Sequence, residues 1–460
     1  MFRFFVFLLF AGLSLSRCSA SSVQEQAEFL AGTPLPRTSS LAALQNHSDY
    51  QLHQRELQEQ WAFCKRIRYE AMQLWGREHL GHDPSTRGVV RYLFGGPDFL
   101  NAHAFFPDAR IMVLGGLEPV GEVPPPETLT PGAMAVGLKS LREALHTSLF
   151  CGYFITSEMK PQLLQGSFRG VLPVLFTELA LTGNQILSVE IVKPFGSPGV
   201  KILYARFDPR ADTQPQTLYY FQADLSNGKE AKHFLEWLGS LGEGASYLKA
   251  ASYLLPLPSF SQTREFLLNT SSLILQDDSG IPFSEFHPDL WKIQLFGVYV
   301  EPLEVFRLHR DPFLETAYAG GDYAGPIPFG VGYHVNARDA NLLLATRLKA
   351  STEAVAYPSV LSPMAAATPL PSPTPRPTRT PRPPKKPKPT PVPIRKALPV
   401  DSSEGVEIRK ALPVETTPLE QPQPTLPAVM DQAPPSSTDR DHQPASDPTP
   451  PPDPTTLENL

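Results

Sequence analysis

Between Leu41 and Leu80 apolar residues return every three or four positions. Leu57, Trp61, Cys64, Ala71 and Trp75 fall on one stripe, with Gln, Arg and Lys on the other faces. That spacing predicts a long amphipathic helix packed along a main body. The pattern then shortens. Val89–Phe94 reads as a strand ending at Gly95-Gly96, and Pro97 opens a short helix, Asp98–Phe106, that Pro107-Asp108 stops. Ile111–Leu114 reads as a second strand, ending at Gly115-Gly116. Together these segments predict a β-α-β unit near residues 89–115 with two parallel neighbouring strands.

Beyond the loop at Pro124-Pro125-Pro126, Leu138, Leu141, Leu145 and Leu149 trace another amphipathic helix, and residues 170–182 one more. Strand-like runs follow at Ile186–Val192, Val200–Phe207 and Leu218–Leu225, the last two forming a hairpin about the polar loop Asp208–Gln216. Helices are expected at Lys229–Leu241, Ala245–Leu254 and Gln262–Leu268, and strands at Ile293–Val300, Phe329–Val335 and Asn341–Leu348. The alternation predicts an α/β or α+β fold, a mixed sheet with flanking helices.

Composition divides the chain. No aromatic residue follows Tyr357, and residues 358–460 hold about half of the 52 prolines. Such a segment has too little to bury against its backbone entropy, so it is expected to be a disordered Pro-rich tail. Eight basic residues and no acid lie between Arg376 and Lys396, in a stretch suited to polyproline II. Ile394–Val400 (IRKALPV) recurs unchanged as Ile408–Val414, either duplication drift or a doubled docking motif. At the other end, Arg3, the apolar run Phe4–Leu15 and Cys18-Ser19-Ala20 have the layout of an export signal over residues 1–20. Residues 21–40 then form a flexible leader and 41–357 a globular core. A lipid anchor on Cys18 is the alternative, disfavoured by Arg17 before it. The chain is therefore expected in the periplasm or secreted, and not integral to a membrane.

The net charge of −6 is unremarkable for 460 residues. Its segregation points the basic tail segment toward a cell-envelope polymer, a membrane surface or an envelope protein. Export, and the lack of aromatics among the tail's basic residues, disfavour nucleic acid. Of the two cysteines left after the signal, Cys64 and Cys151, either a disulfide or two buried thiols is consistent with the sequence.

Candidate chemistry gathers at two acidic turns. Gly95-Gly96-Pro97-Asp98 and Gly115-Gly116-Leu117-Glu118 end both strands of the β-α-β unit, on the side where open α/β sheets bind ligands. Asp98 and Glu118, with His103 in the short helix, could serve as a catalytic acid/base set. The plainer reading makes Asp98 a helix cap, Glu118 a solvated side chain and His103 a packing residue. Asp277 and Asp278, in Gln276-Asp277-Asp278-Ser279-Gly280, are the candidate ligands for a divalent metal, with an Asp-rich turn as the plainer reading. His79-x-x-His82-Asp83 has metal-ligand types but sits at a helix end without a third fixed partner. No P-loop, HExxH or CxxC pair occurs, and the absence of G-x-G-x-x-G excludes a dinucleotide cofactor.

Residues 92–121 (YLFGGPDFLNAHAFFPDARIMVLGGLEPVG) and 273–283 (LILQDDSGIPF) resemble a family of exported bacterial proteins of unknown activity. The resemblance covers about residues 50–350 and implies a Gram-negative envelope setting, without an activity or site residues. The expected function is an envelope-associated binding module with a Pro-rich tether. The alternative is an exported hydrolase or metal-dependent enzyme built on the acidic turns.

Overall fold

The computed structural model describes residues 21–348 apart from 155, 207–213 and 322. The export signal, the loop of the predicted hairpin and the Pro-rich tail with its basic segment and repeat lie outside the described residues. Helices α1 (Val23–Leu30), α2 (Ser48–Cys64), α3 (Glu70–His79), α4 (Phe99–Phe105), α5 (Pro131–Cys151), α6 (Thr156–Leu164), α7 (Leu172–Leu181), α8 (Lys229–Ser240), α9 (Ser261–Thr270) and α10 (Pro312–Ala319) are interspersed with nine strands. These are β1 (Val89–Tyr92), β2 (Ile111–Gly116), β3 (Asn184–Val192), β4 (Gly199–Arg206), β5 (Gln216–Gln222), β6 (Gly244–Leu248), β7 (Ser271–Gln276), β8 (Trp291–Gly297) and β9 (Asn341–Arg347).

All nine strands join one mixed sheet in the order β3-β4-β5-β2-β1-β6-β7-β9-β8. The predicted β-α-β unit is present, with Val89 opposite Ile111 and Tyr92 opposite Leu114 in parallel register. From β5 through β2, β1 and β6 to β7 every neighbour is parallel. Antiparallel strands extend both sides: β3 and β4 beyond β5, and β9 and β8 beyond β7. The predicted hairpin is the β4–β5 pair.

Alternate residues of the central strands enter different cores, as the period of two requires. Val90, Tyr92, Met112 and Leu114 belong to one apolar cluster, while Leu93, Val113, Phe221 and Ile274 belong to a second. With both faces covered, the middle strands lose the hydrophobic alternation that marks a half-exposed strand. β6 is five residues long and wholly buried. Its apolar sequence runs on into Leu254-Leu255, which explains why residues 245–254 read as a helix and are instead a strand followed by a loop. The 329–335 stretch is likewise no strand; it is a turn in which Val331 and His334 make an isolated pairing.

Two further differences lie near the N-terminus. The helix expected over 41–80 is broken into α2 and α3 by a π-turn at Lys65–Tyr69. Residues 23–30, inside the leader, form α1, started by a capping box between Ser22 and Glu25. Phe29 and Leu30 are fully buried, and the Phe29 ring stacks on Tyr50 at 4.4 Å. A polar average conceals this anchor, because two large residues do the packing. Phe29→Ala should therefore destabilise the fold by about 3–5 kcal/mol, measured by denaturant unfolding of the full chain. A change within about 0.5 kcal/mol would mean that the leader is dispensable.

Candidate functional site

Counting only the five parallel strands in chain order, the arrangement is third, second, first, fourth, fifth. This is the doubly wound order, and its topological switch point lies between β1 and β6, where successive crossovers leave in opposite directions. The carboxyl ends of β1, β2, β6 and β7 meet at this edge. They deliver Asp98, Glu118, Lys249 and the pair Asp277-Asp278, each buried.

Asp98 and Lys249 occupy the switch point itself, each side chain 1% exposed. Lys249 Nζ donates to Asp98 Oδ2 and to the carbonyl of Gly152, which follows the last residue of α5. Asp98 is also the N-cap of α4: its Oδ1 accepts from the Asn101 backbone N–H at 3.2 Å and from Asn101 Nδ2 at 2.8 Å. Tyr92 Oη donates to Oδ2 at 2.9 Å. Burial pulls the Lys249 ammonium below its ordinary pKa, and Asp98 pulls it partly back. One carboxylate thus closes a helix start, the exit of β1 and the exit of β6.

The second acidic turn abuts the first through the residue after Lys249. Asp277 Oδ2 accepts from Ala250 N at 2.8 Å, while Oδ1 accepts from Ser279 N at 3.0 Å and Ser279 Oγ at 2.5 Å. Burial, with Asp278 as the next cause, pushes Asp277 up to about 6. Gly332 is required beside it, since a Cβ there would stand 1.8 Å from Asp277 Oδ2. Asp278 turns the other way, accepting from Tyr253 Oη at 2.6 Å. His334 Nε2 stands 3.4 Å from Asp278 Oδ1 and 3.5 Å from Oδ2, a spacing for an ion pair and too long for a good hydrogen bond. Burial works against the charged imidazole, but Asp278 outweighs it and raises His334. Between these turns, Ala250, Ser252 and Tyr253 adopt φ of +49°, +52° and +53°, a left-handed conformation that side chains bearing a Cβ disfavour.

Glu118 reaches the same edge but packs inward. Tyr220 Oη donates to the Glu118 carbonyl at 2.8 Å and lies 3.4 Å from its Oε2. A Cβ on Gly116 would fall 2.5 Å from that Oε2 and 2.7 Å from Gly96 Cα, so the two Gly-Gly turns are glycine because they press together around the carboxylate. His103 is separate from this cluster. It bonds Tyr69 Oη through Nδ1 at 2.8 Å and approaches Asn184 Nδ2 at 3.4 Å. Burial, with the Arg206 guanidinium second, pulls it down to about 3, leaving a neutral packing histidine.

Glu178 takes a place that the sequence pattern did not suggest. Its Oε2 accepts from the backbone N–H of Phe99 at 2.9 Å and of Leu100 at 3.3 Å, at the start of α4. In sheets of this order a dinucleotide seats its pyrophosphate at the helix that follows the first strand. Here a side chain of the protein fills that position. Burial, then the neighbouring Asp98, push Glu178 well above the usual carboxyl range, and its Oε1 has no hydrogen-bond partner among the described residues.

The structure thus joins Asp98 to Asp277 and Asp278 through Lys249 and its loop, seats Glu118 beside Gly96, and separates His103. Sequence reasoning missed Lys249, Glu178 and His334. Each had a signal: a lone charge leaving or interrupting an apolar run, or a His beside glycines. Among the described residues, no group of three or more His, Cys, Asp or Glu is arranged to hold a metal. His79 packs on Trp75, with ring centres 4.6 Å apart. Cys64 and Cys151 are not joined by a disulfide. Arg68 instead donates to Cys64 Sγ at 3.4 Å and to the carbonyl oxygens of Ser148 and Leu149 at 2.9 and 3.1 Å. Two surface hollows lie away from the edge: one of about 260 Å³ beside Arg110 and Gln216, the other of about 360 Å³ beside Leu35 and Asn46. Among the described residues no helix is long and apolar enough to cross a membrane. No protein-family model, curated protein or solved structure matches the chain.

Two predictions follow from this geometry. Removing one member of a buried ion pair strands the other, so Asp98→Asn or Lys249→Met alone should each destabilise by about 3–5 kcal/mol. The double variant should lose clearly less than the sum, and additive losses in a double-mutant cycle would deny the coupling. The second concerns pH. A carboxyl whose folded pKa is raised binds more protons when folded, so its contribution to stability falls as pH rises from the unfolded value to about 6. Asp277→Asn removes that slope. The difference in Tm between variant and wild type should shift in the variant's favour between pH 4 and pH 7, and a constant difference would place Asp277 outside the titration.

Proposed function

We propose that the chain is an exported binding module that takes a small ligand at the carboxyl edge of its sheet, above the switch point between β1 and β6. The observation that supports this most is the convergence there of a buried Asp98–Lys249 pair, Glu118 and a loop held in left-handed backbone conformations. Ligands of doubly wound sheets bind at this point, and stored backbone strain concentrates at ligand clamps and switches. Glu178 already sits on the N–H groups where a pyrophosphate would be held. The reading therefore favours a ligand without one. The basic segment 376–396 completes the module as a tether to an anionic envelope partner, by salt-sensitive attraction.

The hydrolase alternative has one feature in its favour: burial, then Asp278, push Asp277 up to about 6, within reach of acid–base work at neutral pH. Against it, both Asp277 oxygens are engaged by the protein's own donors, and Asp98 is bonded by Tyr92, Asn101 and Lys249. Binding without turnover fits that saturation better.

A thermal-shift screen of diverse metabolites, followed by hydrogen exchange on the ligands found, tests the reading. Ligands that raise Tm should slow amide exchange in residues 93–99 and 116–119, at the ends of β1 and β2. Protection confined to the exposed apolar stretch around Leu303, Val305, Leu308 and Phe313 would move the binding surface and sink the proposal.

A further inference from the structure

The loop that leaves β6 is held in its unfavourable backbone conformation by side chains from two other segments. Asp277 Oδ2 accepts from Ala250 N at 2.8 Å, and Ser279 Oγ from Ala251 N at 2.7 Å. Tyr333 Oη donates to the Ala250 carbonyl at 3.1 Å and lies 2.8 Å from Ser252 Oγ. Tyr253 Oη is fixed by Asp278 at 2.6 Å. Backbone strain persists only where surroundings over-determine it in this way. Ala250 and Ser252 are partly exposed, so the loop forms the outer layer over the switch point.

Beneath the loop, the Lys249 ammonium rests on the Asp98 carboxylate and the Gly152 carbonyl, 5.9 Å from the centre of the Tyr92 ring. A carboxylate, a carbonyl and an aromatic ring are the acceptor set that recognises a primary ammonium. Lys249 reaches them from the first position after β6, directly before the strained residues Ala250, Ser252 and Tyr253. We propose that residues 249–253 are a lid, and that the Asp98 site beneath it binds the primary ammonium group of a small-molecule ligand, for which Lys249 is the resident stand-in. This inference rests on the reading of the carboxyl edge as a ligand site.

The exchange is balanced in charge. As the ligand's ammonium replaces Lys249, Asp98 always faces a cation, so no buried carboxylate is left unpaired. Lys249 regains hydration as the lid swings out, and Ala250, Ser252 and Tyr253 relax. These gains offset the bonds lost to Asp277, Ser279, Tyr333 and Asp278, so ligand binding and lid opening form one equilibrium.

The test uses the full chain and n-propylammonium as the probe, with sodium chloride and sodium propionate at equal ionic strength as controls. In wild type, n-propylammonium should speed amide exchange of Ala250 and Ala251 several-fold and saturably, and neither control should do so. In Lys249→Ala, where the stand-in is gone, n-propylammonium should raise Tm by several degrees over the controls. Unchanged exchange in wild type overturns the lid, whether or not the variant folds. A folded Lys249→Ala indifferent to n-propylammonium overturns the ammonium site. A screened ligand that protects this edge but carries no ammonium would overturn the ligand class while leaving the edge as the binding site. Absence of any ligand protecting the edge would instead remove the underlying reading.

Discussion

Asp98 meeting Lys249 is the constraint around which the middle of this molecule is arranged. A lysine and an aspartate removed from water are tolerable only together, and only with their remaining bonding capacity used. Tyr92, Asn101 and Gly152 supply those bonds, so the pair fixes where β1 ends, where α4 begins and where α5 stops. The neighbouring glycine turns then close around Glu118 because nothing larger fits between them. Asp277 and Ser279 continue the network into the next strand exit. Polar groups at this edge thus form a connected chain, in which each member's position depends on its neighbour's.

Glu178 gives the same edge its second character. A helix start in a sheet of this order offers free N–H donors, and the protein meets them with a carboxyl oxygen from α7. Lys249 likewise supplies a cation from within. The acceptor at the helix start and the cation at the strand exit are thus both side chains of the protein, and the apolar cores on either face close around the strands.

Much of the fold was legible in the sequence, and the reasons differ by element. The β-α-β unit was readable because its strands end at paired glycines and its helix is bounded by prolines, and α8 because its apolar stripe faces a single core. β6 was not, because a short strand covered on both faces shows neither period. The order of strands was not readable either: β9 enters between β7 and β8, a placement no local pattern encodes. At the site, Asp98 and Glu118 stood out as acids after glycine turns. Their partner Lys249 lies 151 residues from Asp98 in sequence, and only the pairing of β6 beside β1 brings it there. His103 showed the reverse: a plausible residue type near the right turn, directed by α4 into a buried contact with Tyr69.

That sheet order also governs when the molecule can close. The pairing of Val90 with Ala245 places β6 against β1 only after the four strands β2 to β5 and helices α4 to α8 have been laid down between them. During synthesis, Asp98 can cap α4 through Asn101 long before its counter-ion emerges. The β7 edge stays open longer still, since its antiparallel neighbour β9 is the last strand among the described residues. Contacts so distant in sequence make folding slow and leave an unpaired parallel edge exposed meanwhile. A chain of this topology therefore keeps a pairing-competent strand edge open until its final described strand arrives.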